Sequence, residues 1–367
     1  MSNRVMTSVT WAQVLAWRMR RQFIDVPGDV STVDIARRLA GVQAQVPSAA
    51  ELAVAVRQAT LRRGEVASAV LDDRTLVKTW AMRGTLHLLP ADEVAAYLVL
   101  CAAVRNWEKA TWQRNFGATP ADLEAIAGAA AEALAGGGAL TREELTTAVV
   151  EETGSRHLAE VLGSGWGTLL KPLAWWGVLC YGPPQGTRVT FTAPEHWLPA
   201  WKGLPMLRDE AARTVVHSYL GAHGPATPEM FDNWLMRKGN RKKDVKGWFD
   251  AAADGLSTIE VEGVPMRVLE EHRDELVDTA PATSVRLLGA FDQYVLGAGT
   301  SALYLIPAER RAEVSRTGGW ISPVVLHEGR VAGVWEAKDG NPAVTAFEDL
   351  PAGPLEAERD RLGRLLA

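Results

Sequence analysis

Two glutamines, Gln43 and Gln45, lie one residue apart in the apolar, alanine-rich segment ARRLAGVQAQVPSAAELAVAVR, residues 36–57. A glutamine amide both donates and accepts hydrogen bonds, but it is not a strong acid or base. A pair of them suits the positioning of a polar group better than proton transfer. The residues alone leave two interpretations open. Either the amides converge on one functional spot, or they are polar spacers and caps on exposed backbone.

The local backbone decides whether the two amides can converge. Ser31 and Asp34 form a capping box, which predicts a helix beginning just after Ser31. Pro47 suits the first turn of a second helix, and Ser48 with Glu51 forms a second capping box. Residues i and i+2 point about 200° apart in a helix but the same way in an extended chain. The break between the helices therefore allows the amides to converge.

Length and composition indicate an ordinary globular protein of two or three domains. The chain has 367 residues, and its 47% hydrophobic and 23% charged content matches soluble proteins. It has no apolar run long enough to span a bilayer and no N-terminal signal pattern, so we expect no membrane contact. Cys101 and Cys180 lie far apart in apolar surroundings. Reduced core cysteines fit a cytoplasmic location better than a disulfide does.

Several enzyme classes lack their sequence signatures. No histidine or cysteine cluster has zinc or iron–sulfur spacing, so we expect no metal and no other cofactor. The chain also has neither a Ser/His/Asp signature nor a phosphate-binding glycine loop.

Positive charge is local although the net charge is −5. Residues 1–118 carry 15 Lys/Arg and 10 Asp/Glu, residues 119–250 carry 13 and 15, and residues 251–367 carry 11 and 19. Within the middle segment, RKGNRKKDVK (237–246) has six cations and one acid. A phosphate backbone needs such local charge. On charge alone, a solvated basic loop explains the stretch equally well.

One pattern, three helices followed by a two-stranded hairpin, occurs three times along the chain. It predicts an α+β fold of three tandem winged helix-turn-helix units followed by a β-rich segment and a final helix. The predicted boundaries are 1–118, 119–203, 204–282 and 283–367. Hairpin turns are expected near Arg83-Gly84 and at Glu262-Gly263 and Glu328-Gly329. The third helix and the wing of such units commonly contact DNA.

The sequence resembles the AlkZ-like DNA glycosylases, the alkylpurine glycosylases of the azinomycin-resistance type. The resemblance is carried by LAGVQAQVPSAAELAVAVR, TWAMRGTLHLLP, SGWGTLLKPLAWWGVLCYG and RLLGAFDQYVLG, which span almost the whole chain. It implies a C-shaped arrangement of three winged-helix units around duplex DNA. The family's catalytic signature, Gln-apolar-Gln, falls on Gln43, Ala44 and Gln45. A sister branch has Asp at the second position, which this chain lacks.

The resemblance implies hydrolysis of the N-glycosidic bond of N7-alkylated purines in double-stranded DNA, including bulky adducts and interstrand crosslinks. An N7-alkylguanine is already cationic and leaves without protonation. The remaining task is to position a water and to tolerate a cation-like sugar, which amide oxygens can do. This assigns Gln43 and Gln45 as catalytic residues of a monofunctional, cofactor-free enzyme that acts as a monomer in DNA repair and self-resistance. The alternative is a non-catalytic tandem winged-helix regulator or adduct-sequestering protein.

Other residues are candidates for DNA contact. Arg83 and His87 could reach phosphate or line the cleft, and His87 could instead be a strand residue satisfied by backbone. Lys171, on the predicted third helix of the second unit, is a candidate phosphate contact. The basic stretch contributes five more candidates: Arg237, Lys238, Arg241, Lys242 and Lys243.

Aromatic and C-terminal residues leave structural alternatives open. Trp166, Trp175 and Trp176 have helical spacing, and at least two of them are expected in the core. Asp292 and Tyr294 could contact the cleft or form a strand end.

Overall fold

The computed structural model describes residues 7–163, 167–204, 206–338 and 340–366. Its strands are β1 Ser8–Val9, β2 Val42–Gln43, β3 Leu76–Trp80, β4 Leu86–Pro90, β5 Leu140–Thr141, β6 Cys180–Tyr181, β7 Thr190–Thr192, β8 Leu256–Val261, β9 Val264–Leu269, β10 Val285–Leu288, β11 Val324–His327, β12 Arg330–Lys338 and β13 Asn341–Ala346. Its helices are α1 Trp11–Arg21, α2 Thr32–Arg38, α3 Pro47–Ala55, α4 Glu65–Leu71, α5 Val94–Ala102, α6 Ala110–Phe116, α7 Pro120–Leu134, α8 Arg142–Thr153, α9 Arg156–Gly163, α10 Leu170–Trp175, α11 Pro194–Trp197, α12 Arg208–His223, α13 Pro228–Met236, α14 Lys242–Ala251, α15 Glu270–Val277, α16 Gln293–Ala298, α17 Arg311–Val314 and α18 Ala352–Leu366.

Helix caps agree with the sequence prediction at most of the predicted starts. Ser31 caps α2 and Thr141 caps α8, each through its side-chain oxygen. The predicted capping box at Ser48 is wrong. Val46 precedes α3 without a side-chain cap, and Pro47 is the first helical residue. Proline fixes the helical φ angle and needs no hydrogen-bond partner for its nitrogen, so it starts the helix without a polar cap.

The strands form small, mostly antiparallel sheets. Three sheets have three strands each, in the orders β2-β4-β3, β5-β7-β6 and β1-β8-β9, and the fourth has the order β10-β11-β12-β13. The predicted turns hold, because Val261 pairs with Val264 and His327 pairs with Arg330. The fold is therefore a mixed helix and strand fold with small sheets.

The N-terminal strand was not predicted. β1 pairs in parallel with β8, so residues assigned to the 1–118 segment complete a sheet of the 204–282 segment. Val9 and Trp17 share a buried cluster with Ile259 and Val268. A two-residue strand has too little periodicity to be found from sequence. The predicted boundary at 118 thus separates β1 from β8, the strand with which it pairs.

One continuous apolar core joins the three predicted units. It includes Trp80 of the first segment, Phe191 of the second and Trp234 of the third, all 3% exposed or less. Cys101 and Cys180 are free and buried in it, as predicted. Of the tryptophans, Trp175 is buried and Trp176 packs against this core, whereas Trp166 lies outside the described residues. The three units therefore stabilise one another.

The C-terminal segment is attached to α3 through a buried ion pair. Both Nη atoms of Arg57 lie 2.8 Å from the Asp292 carboxylate, and both side chains are fully buried. Asp292 also accepts from the Tyr294 N–H and caps α16. The Tyr294 hydroxyl donates to the Gly329 carbonyl. Asp292 and Tyr294 are therefore structural residues, but they cap and begin α16 and do not form the expected strand end.

Replacing Asp292 by alanine should lower the free energy of unfolding by about 3–5 kcal/mol, because it leaves the Arg57 charge buried without a partner. Urea unfolding followed by tryptophan fluorescence measures this loss. The double variant Arg57→Met/Asp292→Leu should recover most of it. Glu356→Ala is the control, since its pair with Arg359 is partly exposed and worth about 1 kcal/mol at most. Equal losses for Asp292→Ala and Glu356→Ala would contradict the assignment.

Candidate active site and nucleic-acid interface

The two glutamines lie between α2 and α3 on an extended segment, as the sequence predicts. Val42 and Gln43 pair with Leu88 and His87 of β4. The Ala44 N–H donates to the Leu86 carbonyl and extends the ladder by one residue. The segment then bends, and α3 starts at Pro47. The sheet therefore fixes the backbone of the motif up to its central residue.

The two amides have different surroundings. The Gln43 side chain is 7% exposed, and its Oε1 atom is buried without a hydrogen-bond partner among the described residues. Gln45 is exposed. Its Oε1 atom lies 3.5 Å from the Leu86 nitrogen, at the outer limit for a hydrogen bond. Gln45 is thus accessible to a ligand, whereas the Gln43 side chain is buried at its pairing with His87 of β4.

His87 lies behind Gln43 and not on the surface. It is completely buried, and its Nδ1 atom lies 3.0 Å from the Thr85 carbonyl. Burial, reinforced by the nearby Arg83 charge, lowers the pKa of His87 to about 3, so the ring is neutral at pH 7. This position does not support the predicted phosphate contact. It matches the alternative of a structural strand residue for one ring nitrogen, since the backbone satisfies Nδ1 but not Nε2.

Sequence reasoning missed the polar row to which His87 belongs. Gln43, His87 and Thr79 are opposite one another across β2, β4 and β3, so their side chains share a face of the sheet. Each has a buried polar atom without a partner among the described residues: Gln43 Oε1, His87 Nε2 and Thr79 Oγ1. A neutral ring whose Nδ1–H donates to Thr85 keeps Nε2 as an acceptor. The alternation of β3 and β4 was the only signal in the sequence.

Three of the predicted cations line one cavity. Arg83, Lys171 and Arg237 surround a space of about 440 Å³, together with Trp107 and Trp175. They come from the β3–β4 turn, the first helical turn of α10 and the end of α13. No single stretch of sequence indicates that they meet. We call this cavity the three-cation pocket.

Of the other basic residues, Arg241, Lys242 and Lys243 lie at the start of α14, and Lys238 lies between α13 and α14. Lys242 and Lys243 are exposed in its first turn, so the predicted basic loop ends earlier than expected, at Arg241. Arg241 pairs with Asp244, and Lys238 pairs with Glu229. A helix N-terminus attracts anions and disfavours cations. Cations in this position therefore stabilise a bound anion better than they stabilise the helix.

Two features, a metal-binding cluster and a membrane-spanning helix, were searched for among all the described residues. The described residues include no group of three or more His, Cys, Asp or Glu side chains that could hold a metal ion. No helix within the described ranges is both long and apolar enough to cross a membrane.

Comparisons with known proteins find relatives that match almost the whole chain. A family model described as DNA glycosylase AlkZ-like matches residues 36–367. The interstrand DNA cross-link repair glycosylase of Streptomyces sahachiroi is 48% identical over 362 residues, or 97% of this chain and 96% of that protein. The solved structure of Streptomyces sahachiroi DNA glycosylase AlkZ matches with a TM-score of 0.94 at 47% identity and covers 98% of this chain and 97% of that one. The chain therefore belongs to the AlkZ-like DNA glycosylase family.

Proposed function

We propose that this member of the family hydrolyses the N-glycosidic bond of cationic N7-alkylpurines in duplex DNA, including bulky adducts and interstrand crosslinks. The observation that carries the proposal is the position of Gln43 and Gln45 on an extended segment at a helix break, with Gln45 exposed. The name of the Streptomyces sahachiroi relative supports crosslinks as substrates. Repair of genomic DNA makes the cytoplasm the proposed location, and one copy supplies all the proposed groups, so we propose a monomer.

The three small sheets and their helices are proposed to be winged-helix units. In the third unit, α12, α13 and α14 precede the β8–β9 hairpin, and α14 occupies the position of the recognition helix. In the second unit, α7, α8, α9 and α10 precede β6 and β7, one helix more than the predicted pattern. We propose that the units form a C-shape around the duplex, as in the family. The likeness to the solved AlkZ structure supports this arrangement.

The proposed mechanism makes few demands on acid or base strength. Departure of the base breaks the bond between the anomeric carbon and the purine N9 atom, and the bonding electrons neutralise the cationic ring. A water oxygen forms the new bond to the anomeric carbon, and its proton passes to solvent. Gln45 orients this water and presents its carbonyl dipole to the cation-like sugar. No protein group has to protonate the leaving group.

His87 is proposed to fix the orientation of the Gln43 amide. The Nε2 atom of His87 is an unpartnered acceptor, and the Gln43 oxygen also faces the interior without a partner. We propose that the Gln43 amide is rotated by half a turn, so that its NH₂ group donates to this ring nitrogen and its oxygen is free to accept from the water. That rotation satisfies both orphaned atoms. Both glutamine oxygens then face the same water.

Alanine at Gln43 or Gln45 should slow base release by about 10²-fold and leave DNA affinity nearly unchanged. Loss of one positioned hydrogen-bonding group costs on the order of 10²–10³ in rate, and the charged substrate favours the lower figure. Single-turnover release of 7-methylguanine from methylated duplex measures the effect. Glu356→Ala, which removes an exposed side chain of α18, is the control. Release by the Gln43→Ala/Gln45→Ala protein at the wild-type rate would refute the catalytic assignment.

The triple variant Arg241→Ala/Lys242→Ala/Lys243→Ala should weaken binding to all DNA sequences alike. Each lost phosphate contact should flatten the slope of log K against log salt by up to ~0.9. Fluorescence anisotropy across a salt series measures the slope. Arg311→Ala, an exposed arginine of the C-terminal segment, is the control and should leave it unchanged. A triple variant with the wild-type slope would show that the start of α14 faces away from DNA.

A further inference from the structure

The three-cation pocket concentrates positive charge at the junction of the three predicted units. None of its described lining residues carries a carboxylate. Lys171 lies close to the tip of the β3–β4 hairpin, since a Cβ atom added at Gly84 would lie 3.7 Å from its Nζ atom. Burial and the Arg237 charge lower the pKa of Lys171, and the same two causes lower that of Arg83 to about 10. The cations therefore repel one another, and an anion would relieve that repulsion.

Arg83, which lines the pocket, has an unused donor. Arg83 Nη1 donates to the Trp234 carbonyl at 2.7 Å, which holds the guanidinium in place. Its Nη2 atom is buried and has no partner among the described residues. Buried donors are almost always satisfied in folded proteins, and a charged one is the most costly to leave unpaired. Trp107 and Trp175, which are 6% and 5% exposed, form the apolar wall and limit solvent screening.

The hairpin places this pocket close to the glutamine motif. Leu86, whose nitrogen faces the Gln45 oxygen, is two residues from Gly84 and three from Arg83. At about 3.3–3.6 Å per residue, the backbone distance from Leu86 to Arg83 is roughly 11 Å at most. Successive phosphates of one strand are 3.4 Å apart along the axis of the DNA helix. A phosphate in the pocket would thus be within about three nucleotides of a sugar at Gln45.

We propose that the three-cation pocket binds one backbone phosphate of the damaged strand and sets the position of the scissile sugar relative to Gln45. The proposal rests on the function proposed above and assigns Arg83, Lys171 and Arg237 to a single phosphate group, whereas the sequence suggested separate contacts. Because the cations come from all three units, the same phosphate also fixes the units relative to one another. The ligand chemistry is a phosphate ester, which a DNA linkage or a free phosphate compound could supply.

Neutral linkages identify the phosphate. Duplexes carry one 7-methylguanine and one methylphosphonate, placed in turn at each of the three linkages on either side of the lesion. Affinity and single-turnover base release are measured for the wild type, Lys171→Met and Arg237→Gln. One position should reduce both quantities about tenfold in the wild type, as expected for loss of a charge-assisted hydrogen bond. Each variant should respond to that position less than the wild type does, because two of the three cations remain.

The controls separate the pocket from catalysis and from folding. Gln45→Ala should release base slowly yet keep the wild-type sensitivity of binding to the neutral linkage. Arg311→Gln should behave as the wild type throughout. The neutral linkage alters the DNA and not the protein, so its effect in the wild type does not depend on whether a variant folds. If the wild type binds these duplexes but releases no base, the proposed function fails while affinity still reports on the pocket.

Two results would overturn the proposal. The first is a linkage series that does not support the pocket: either no neutral linkage changes the affinity of the wild type, or the variants lose as much affinity as the wild type does. The other concerns the source of the phosphate, and thermal unfolding in inorganic phosphate against chloride of equal ionic strength tests it. If phosphate raises the midpoint of the wild type only, and no DNA linkage matters, the pocket holds a free phosphate compound and not the DNA backbone.

Discussion

The buried pair between Arg57 and Asp292 determines where α3 lies, and the glutamine motif is anchored to α3. Two charges without solvent are tolerated only when their geometry is complete, and here a bidentate contact at 2.8 Å meets that requirement. Asp292 belongs to the C-terminal segment, which begins more than 200 residues after the motif. The position of α3 in the first segment therefore depends on a contact with the end of the chain. Because Pro47 is the first residue of α3, the position of α3 also fixes the end of the segment that carries Gln43 and Gln45.

The site combines weak catalytic groups with strong electrostatic positioning. Neutral amides do not change charge during a reaction, so their contribution depends on where the substrate is held. The hydrogen bonds of β2 and β4 fix the motif from one side. The proposed phosphate contacts fix the substrate from the other. This division explains why the cations are spread over three units while both amides lie in one short segment. It also explains how an acidic chain can act on DNA, since its positive charge is concentrated where phosphates are proposed to bind.

The sequence predicted the local features of this fold and few of its long-range ones. Caps at Ser31 and Thr141 and the turns at Glu262-Gly263 and Glu328-Gly329 were correct, because each depends on residues within one turn. The capping box at Ser48 failed because a neighbouring proline started the helix first. The β1–β8 pair and the convergence of Arg83, Lys171 and Arg237 could not be predicted. They join residues with no shared period, which only the packing of distant segments brings together. His87 was ambiguous because the residue pattern of a strand does not say whether both faces of its sheet are covered. In the structure, every residue of β4 is buried.

The central claim is that neutral amides suffice because the substrate brings its own positive charge. A panel of duplexes with one lesion each tests it directly, under excess enzyme and with abasic sites as the readout. We expect excision of 7-methylguanine, 3-methyladenine and guanine with a bulky N7 substituent. Uracil, hypoxanthine and 8-oxoguanine are neutral and should persist in the same assay. Efficient excision of uracil or hypoxanthine would require a general acid that protonates the base, and the account given for Gln43 and Gln45 would then be wrong.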